Sequence, residues 1–175
     1  MRSSDIWKTT AKNQSVQVIW IDLSTPSGKG FNVYDDIKSK LIKHGIPAAE
    51  IAFVHDAKNE EQTESLYRKA RQGTIRVLLA STGKMGVGAN VQTKLFAAHH
   101  LDPPWRPADI EQRDGRIIRQ GNENPEVQIY RYLSKGSFDA YMWQALETKA
   151  KSINQIMTAG TTAREVEDIS DQVLS

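Results

Sequence analysis

Apolar positions along this chain recur with two different periods, and together these predict a regular succession of strands and helices. Short runs rich in β-branched, aromatic and other apolar residues predict buried strands. The predicted strands are residues 16–23, 51–55, 74–80, 95–101 and 127–133. Between them, apolar residues at three- to four-residue spacing predict helices over residues 31–44 and 60–72. Gly45 and Gly73 follow these helices directly and are expected to end them.

The alternation of strands and helices through short connections indicates an α/β fold with a mostly parallel sheet. In such sheets, ligands gather at the carboxyl ends of the strands. Two unusual loops are expected at that edge, residues 81–90 after the third strand and residues 102–107 after the fourth. Their shared position makes a functional site more credible than either loop would alone.

The two ends of the chain have a different pattern. Residues 1–15 are polar and weakly patterned, and we interpret them as a leader with helical character. A long helix is predicted from Ser137, which is a good N-cap. Its apolar stripe consists of Phe138, Tyr141, Met142, Ala145, Leu146, Ile153, Ile156 and Met157. We expect this stripe to pack against the sheet or a neighbouring domain, with pairing to a partner helix as the alternative.

The expected domain organisation follows from these patterns. An α/β lobe over residues 16–135 follows the leader and precedes a packing helix over residues 136–157. Residues 158–175 begin with Thr-Ala-Gly and then become acidic, which predicts a short helix or a mobile tail.

Composition narrows the classes of function. The chain has 175 residues, of which 39% are hydrophobic and 25% charged, as in ordinary soluble domains. It has no cysteine, which excludes a disulfide framework and a thiolate zinc site. No apolar run is long enough to span a membrane and no signal peptide is recognisable, so we expect a cytoplasmic location. The net charge is only +2, so affinity for nucleic acid would have to come from a local patch.

Three arginines within residues 112–121 are the strongest candidates for chemistry. Arg113, Arg116 and Arg119 are spaced three apart and would share one broad face of a helix. Guanidinium groups keep their charge and bind phosphate oxygens in pairs, so this face would suit a polyanion. A solvated helix face without a specific partner is the alternative that the spacing alone leaves open.

The glycine-rich loop after the third strand does not match the known phosphate-binding loops. A Walker A loop needs a serine or threonine after its Gly-Lys pair, whereas Gly83-Lys84 is followed by Met85. The dinucleotide fingerprint also fails, because neither glycine nor alanine stands three residues after Gly88. We interpret the loop as backbone that contacts a phosphate or ribose, with Asn90 as a polar hook. A tight turn without a ligand is the alternative.

The residues that would hold a nucleotide and its metal are not recognisable in the chain. No Asp-Glu pair follows an apolar strand, and no Ser/His/Asp arrangement stands out. The four histidines lack the spacing of a helical metal pair, so we interpret them as structural or surface residues and predict no metal site. The chain therefore offers groups that stabilise charge on a transferring phosphoryl group, without the groups that bind the nucleotide.

Taken in order, the motifs resemble the second RecA-like lobe of superfamily two helicases, and most closely that of Swi/Snf-type DNA-dependent ATPases. Residues 79–90 look like motif V, with Ala89 in place of the family's leucine. Residues 102–107 look like the family's Asp-x-x-Trp-Asn-Pro, with Arg106 in place of asparagine. Trp105 is interpreted as a core anchor, with a wedge as the alternative.

Residues 112–121 fit motif VI of the same family, Gln-x-x-Gly-Arg-x-x-Arg-x-Gly. Asn122 stands where the Swi/Snf version usually has glutamine. The resemblance covers about residues 16–157, nearly the whole chain.

The resemblance implies a role for individual residues. Arg116 and Arg119 would be arginine fingers that reach the γ-phosphate bound on the first lobe. The nucleotide contacts that it implies are Gln112, Gly86, Gly88 and Asn90. The nucleic-acid contacts that we assign are Ser81, Thr82, Lys84 and Arg113, the last at a position that varies in the family.

The function implied is that of the second motor lobe of a DNA-dependent ATPase, inactive without its first lobe. ATP and Mg²⁺ would be bound mainly by that first lobe, and the other partner would be duplex or single-stranded DNA. DNA is favoured over RNA by the Swi/Snf-like details alone. The competing hypothesis is a non-catalytic nucleic-acid-binding or interaction module that keeps the fold of a helicase lobe.

Overall fold

A computed structural model of the protein describes residues 1–24, 30–85, 89–133 and 138–173, with side chains described through residue 158. Strands and helices alternate along these ranges. The strands are β1 (Val16–Trp20), β2 (Ile51–Phe53), β3 (Val77–Ala80), β4 (Leu95–His100) and β5 (Gln128–Arg131). The α-helices are α1 (Arg2–Thr9), α2 (Val33–Lys43), α3 (Glu60–Arg71), α4 (Pro107–Ile117) and α5 (Phe138–Val173).

The strands form one parallel sheet in the order β2-β3-β1-β4-β5. This confirms the predicted α/β fold class with its mostly parallel sheet. All five residues of β1 are buried, as expected of a central strand that is covered on both faces. Because β1 lies between β3 and β4, the loops that follow these three strands meet at one edge of the sheet.

Helices cover both faces of the sheet. On one face, α2 packs Tyr34, Ile37 and Leu41 against β1 and β3. On the other face, Tyr67 of α3 and Ile117 of α4 join the core formed by β1, β3 and β4. Each large apolar side chain buried in this way contributes about 1.5–3 kcal/mol. The two layers therefore hold the carboxyl edge of the sheet in a fixed arrangement.

Residues 1–15, predicted as a leader, make specific contacts with the α/β body. The Ser4 hydroxyl donates to the His44 carbonyl at 2.9 Å, and Nε2 of Gln17 donates to the Ser3 carbonyl at 3.0 Å. The buried guanidinium of Arg76 donates to the Trp7 carbonyl at 2.7 Å. These bonds hold α1 against the amino ends of the strands.

The apolar stripe of α5 packs differently from the prediction. Leu146 is buried as expected, and so is Trp143, which lies outside the predicted stripe. Phe138, Tyr141, Ile153, Ile156 and Met157 are between 51% and 73% exposed, so packing against the sheet was wrong for these five residues, while packing against a neighbouring domain stays a prediction. A helix of 36 residues is about 54 Å long, and within its residues 138–158 the buried side chains are those of Trp143 and Leu146. The helix continues to Val173, through residues assigned to the tail, while Ser137 lies outside the described residues.

Within the described residues, no helix is both long enough and apolar enough to cross a membrane.

Candidate nucleotide and nucleic-acid interface

The described parts of the loop after β3 lie beside α3 and α4, and these helices position most of the candidate residues. The loop starts at the carboxyl edge, where Ser81 follows β3. α4 starts at the same edge and runs back across the face that it shares with α3. The structure therefore brings the glycine-rich loop and the arginine-bearing helix together.

Helix α4 has a clear start and a clear end. Pro107 occupies the first turn, where its missing N–H costs nothing, and Arg106 pairs with Asp109 at 2.8 Å. The helix ends at Ile117, because Ile118 leaves helical geometry with φ −91° and ψ 65°. Arg119 therefore lies beyond the helix, and the prediction of one helical face shared by three arginines was wrong.

Arg113 points into the protein and has no exposed surface. Its Nη2 donates to Asp22 Oδ2 at 2.7 Å and its Nε donates to the Thr82 hydroxyl at 2.8 Å. Its Nη1 donates to the Asp102 carbonyl at 3.0 Å. A guanidinium enclosed in this way does not reach the phosphates of a bound DNA, so the predicted nucleic-acid contact of Arg113 is corrected to a structural one.

The first residues of the loop after β3 also turn inward. The backbone N–H and the hydroxyl of Thr82 donate to the two carboxylate oxygens of Asp22, at 2.7 and 2.8 Å. The Ser81 hydroxyl lies 3.2 Å from Nε2 of His55 and accepts from the backbone of Lys84 at 3.3 Å. These two hydroxyls thus stabilise the loop, so the predicted nucleic-acid contacts of Ser81 and Thr82 are corrected to structural ones, whereas the Lys84 side chain is exposed.

An open cleft of about 550 Å³ lies between this loop and α3. Its charged lining residues are two lysines, Lys58 and Lys84, and two glutamates, Glu60 and Glu64. The lining also includes Asn59, Thr63, Tyr67 and Ala89. Lys58 was missed in the sequence, although it follows a strand and directly precedes Asn59, whose side chain caps α3. The carboxyl-edge rule, applied to β2 as well as to β3 and β4, would have found it.

The cleft has positive charge at its border. Burial lowers the pKa of His55, and the charge of Lys84 lowers it further. Burial likewise lowers the pKa of Arg116, with a second contribution from the charge of Arg119. The guanidinium of Arg116 keeps its charge at neutral pH, since the ordinary pKa of an arginine lies far above neutrality.

Arg116 and Arg119 lie at different depths. Arg116 is half-buried, and its Nη1 donates to the Ala89 carbonyl at 3.3 Å. It also interacts electrostatically with Tyr67, which lines the cleft together with Ala89. Arg119 is exposed just past the end of α4. The half-buried arginine therefore borders the lysine-lined cleft, and the exposed one is open to a partner.

The remaining predicted nucleotide contacts have varied placements. Asn90 is exposed, and its carbonyl accepts from Nη1 of Arg71 at 2.6 Å. Gln112 is half-buried on α4. Gly86 and Gly88 lie outside the described residues.

Trp105 is 70% exposed, so its interpretation as a core anchor was wrong. The loop that carries it is held by other groups. Pro104 is buried, and the Asp102 carboxylate accepts from the backbone N–H groups of Asp22 and Leu23 at 2.7 and 2.8 Å. These contacts fix the loop without the side chain of Trp105, so the indole remains at the surface.

The adjacent histidines of β4 have opposite environments, as their positions on a strand predict. His99 lies 3.0 Å from Gln17 Oε1, and His100 lies 2.7 Å from Asp114 Oδ1 on the face covered by α4. Both are buried and hydrogen-bonded, which agrees with a structural role. Among the described residues, no group of three His, Cys, Asp or Glu side chains is arranged to hold a metal ion.

The chain matches the model of a known protein family. The model of the helicase conserved C-terminal domain matches residues 17–121, more than half of the chain.

Curated proteins with similar sequences come from distant sources. The chain is 33% identical over 110 residues to "Defense against restriction protein B" of Escherichia phage P1, covering 63% of this chain and 5% of that protein. It is 35% identical over 101 residues to the DNA repair protein RAD5A of Arabidopsis thaliana, covering 57% and 10%. A SWI/SNF-related protein of Xenopus laevis is 23% identical over 168 residues, covering 92% and 17%. The chain thus spans a small part of the length of these relatives.

Solved structures share the fold. The C-terminal part of the Fun30 ATPase domain superposes with a TM-score of 0.62 at 20% identity, over 81% of this chain and 43% of that one. The DUF1998 helicase MrfA bound to DNA superposes with a TM-score of 0.58 at 17% identity, over 84% and 20%. At these identities the likeness supports the RecA-like fold alone.

Proposed function

Because the chain belongs to the family of helicase conserved C-terminal domains, we propose that it is the second motor lobe of a DNA-dependent ATPase. Family membership agrees with the resemblance to the C-terminal lobe of Swi/Snf-type superfamily two helicases. In this proposal the chain works within a longer protein whose first RecA-like lobe binds ATP with Mg²⁺. The chain itself supplies cationic side chains to that nucleotide and contacts to DNA.

The placement of two arginines carries the proposal. Arg119 is exposed past the end of α4, and Arg116 borders an open cleft, so neither is enclosed within its own lobe. The charge of Arg119 lowers the pKa of Arg116, which places the two guanidinium groups within electrostatic reach of each other. Two such groups would stabilise negative charge on a phosphoryl group in transfer, an effect of about 10³–10⁵ in rate for an arginine finger. Gln112 and the loop through Gly86, Gly88 and Asn90 would add contacts to the same nucleotide.

The lysine-lined cleft supports the nucleic-acid part of the proposal. Lys58 and Lys84 are exposed on opposite sides of it, at the start of α3 and on the loop after β3. Glu60 and Glu64 also line the cleft and offset the charge of the two lysines, so binding of DNA there would depend on the individual lysine contacts and not on a net positive patch. The exposed Trp105 adds an aromatic surface after β4. DNA that occupies the cleft would lie beside Tyr67 and Ala89, both of which interact with Arg116.

Substitution of the two arginines in the full-length protein tests the proposal. We expect Arg116→Ala and Arg119→Ala each to lower kcat for ATP by about 10³-fold, because they remove charge stabilisation from the transition state. The affinity for ATP should change much less. Arg106→Ala is the matched control, since Arg106 is exposed at the start of the same helix and pairs with Asp109.

Three results would contradict parts of this proposal. Equal losses of kcat and ATP affinity would indicate a binding role in place of a catalytic one. Unchanged kcat in both variants would exclude arginine fingers. Binding of DNA by a full-length protein that hydrolyses no ATP would favour the non-catalytic module.

A further inference from the structure

The loop after β3 is held by α4 at both of its ends. At the start of the loop, the Thr82 hydroxyl accepts from Nε of Arg113 at 2.8 Å. At the far end, the Ala89 carbonyl accepts from Nη1 of Arg116 at 3.3 Å. Lys84, which faces the cleft, lies between the two attachment points. The position of this loop and the position of α4 are therefore linked.

The attachment at Arg113 is the more completely bonded of the two. Its guanidinium has no exposed surface and contacts Thr82, Asp22, His100 and Asp102. A buried guanidinium needs all of these partners, because an unpaired buried charge is strongly unfavourable. Arg113 therefore cannot leave its partners without a large rearrangement.

Three of the partners of Arg113 lie just after the ends of three different strands. Asp22 follows β1, Thr82 follows β3 and Asp102 follows β4. Asp22 also accepts both the N–H and the hydroxyl of Thr82, while Asp102 accepts two backbone N–H groups after β1. This Asp22–Thr82–Asp102–Arg113 cluster is thus a polar junction between three strand ends and one helix.

We propose that Arg113 is a positioning residue that couples DNA bound at the loop after β3 to the placement of Arg116. This inference rests on the proposed function. Arg116 follows Arg113 by one helical turn, so a shift of Thr82 is passed to Arg113 and through the backbone of α4 to Arg116. The hydrogen bond from Arg116 to the Ala89 carbonyl makes a second connection between α4 and the loop, at the far end of the loop.

A lysine cannot replace the arginine in this role. The three directions in which Arg113 donates, to Thr82, Asp22 and Asp102, match the planar fork of a guanidinium. An ammonium group keeps the charge and loses that geometry. The coupling should therefore depend on the guanidinium and on the Thr82 hydroxyl, and not on positive charge alone.

The test measures kcat and KM for ATP in the full-length protein, with and without a linear DNA duplex, together with the Kd for that duplex. The first variant is Thr82→Val, which keeps the shape of the side chain and removes the hydroxyl between the loop and Arg113. We expect the stimulation of kcat by DNA to fall about tenfold, within the usual range of coupling between two sites. The KM for ATP and the Kd for DNA should each change by less than about threefold, because no group that contacts either ligand is removed.

The second variant, Arg113→Lys, should lower the stimulation at least as much, and Arg76→Lys is its matched control. Arg76 is also buried and bonds to backbone carbonyls, but at the amino end of β3. A loss of thermal stability common to both lysine variants would show the cost of a replaced buried arginine. A loss of DNA stimulation restricted to Arg113→Lys and Thr82→Val would support the coupling role.

The other outcomes overturn the inference in distinguishable ways. If the unsubstituted protein is stimulated by DNA and folded Thr82→Val is stimulated equally, the coupling role of the cluster is wrong while the proposed function stands. If Thr82→Val lowers kcat by the same factor with and without DNA, the cluster is structural only. If the unsubstituted full-length protein shows no DNA-stimulated hydrolysis, the proposed function fails and the inference fails with it.

Discussion

At the scale of single residues, His99 shows how burial changes a titratable side chain. Its ring lies between Gln17 and the Tyr132 hydroxyl, at 3.0 and 2.9 Å, and stacks on Tyr130. Burial lowers its pKa to about 4, with smaller contributions from the charges of His100 and Arg2. The imidazole is therefore neutral in the folded protein at pH values where an unfolded chain would already be protonated.

This difference predicts a pH dependence of stability. Between pH about 6.5 and about 4 the unfolded chain binds a proton at His99 that the native protein does not, so the free energy of unfolding decreases as the pH falls. The loss across this window is about 3 kcal/mol. Urea unfolding of the purified chain at several pH values would measure it. His99→Gln should flatten the dependence, and an unchanged slope in that variant would contradict the account.

The three arginines show what residue-level reasoning from sequence can and cannot reach. Their type and spacing predicted a site for phosphate, and the structure leaves Arg116 and Arg119 able to serve it. The burial of Arg113 depends on Asp22, which lies 91 positions away in the sequence. Spacing within one helix contains no information on such a partner, so the burial of Arg113 could be seen only in the tertiary structure.

At the scale of elements, the ends of α2 and α3 test how glycine terminates a helix. Gly45 and Gly73 both have a positive φ, +96° and +78°. A Cβ on Gly45 would meet nothing within 4 Å, whereas on Gly73 it would lie 2.6 Å from Gln14 Cβ and 2.9 Å from the Gln14 carbonyl oxygen. The two positions share their backbone conformation and differ in the available space.

Alanine at each glycine separates these two effects. Gly45→Ala should destabilise the protein by about 1–2 kcal/mol, the cost of a left-handed conformation for an L-residue. Gly73→Ala should cost roughly 1–3 kcal/mol more, because the backbone around Gln14 has to move. Chemical unfolding of both variants measures the difference, and equal losses would show that the contact with Gln14 is unimportant.

The local sequence pattern predicted whether a segment is a strand or a helix better than it predicted the residues that the segment packs against. The strand predicted over residues 74–80 is observed as β3 from Val77 to Ala80, because the apolar pattern begins before the strand does. The stripe on α5 had the period of a packing helix, but a period does not reveal how far the neighbouring surface extends. Trp105 was misjudged for the same reason, since the exposure of a loop residue depends on which neighbour anchors the loop.

At the scale of the whole molecule, the candidate groups share the side of the sheet covered by α3 and α4. The cleft with Lys58 and Lys84 borders Arg116, and Arg119 is exposed at the end of the same helix. Glu60 and Glu64 also line the cleft, so this side carries charges of both signs, with Arg116 at the border of the cleft. It suits a lobe that offers charge to a nucleotide and a nucleic acid held partly by another domain.

The most direct test of this account is steady-state ATP hydrolysis by the purified 175-residue chain, with and without DNA, beside the full-length protein. Two arginines that complete a nucleotide site on another lobe have no bound nucleotide to act on when that lobe is missing. We predict no turnover by the chain alone above the buffer background, and DNA-stimulated turnover by the full-length protein. Robust DNA-stimulated hydrolysis by the isolated chain would contradict the assignment as half of a motor.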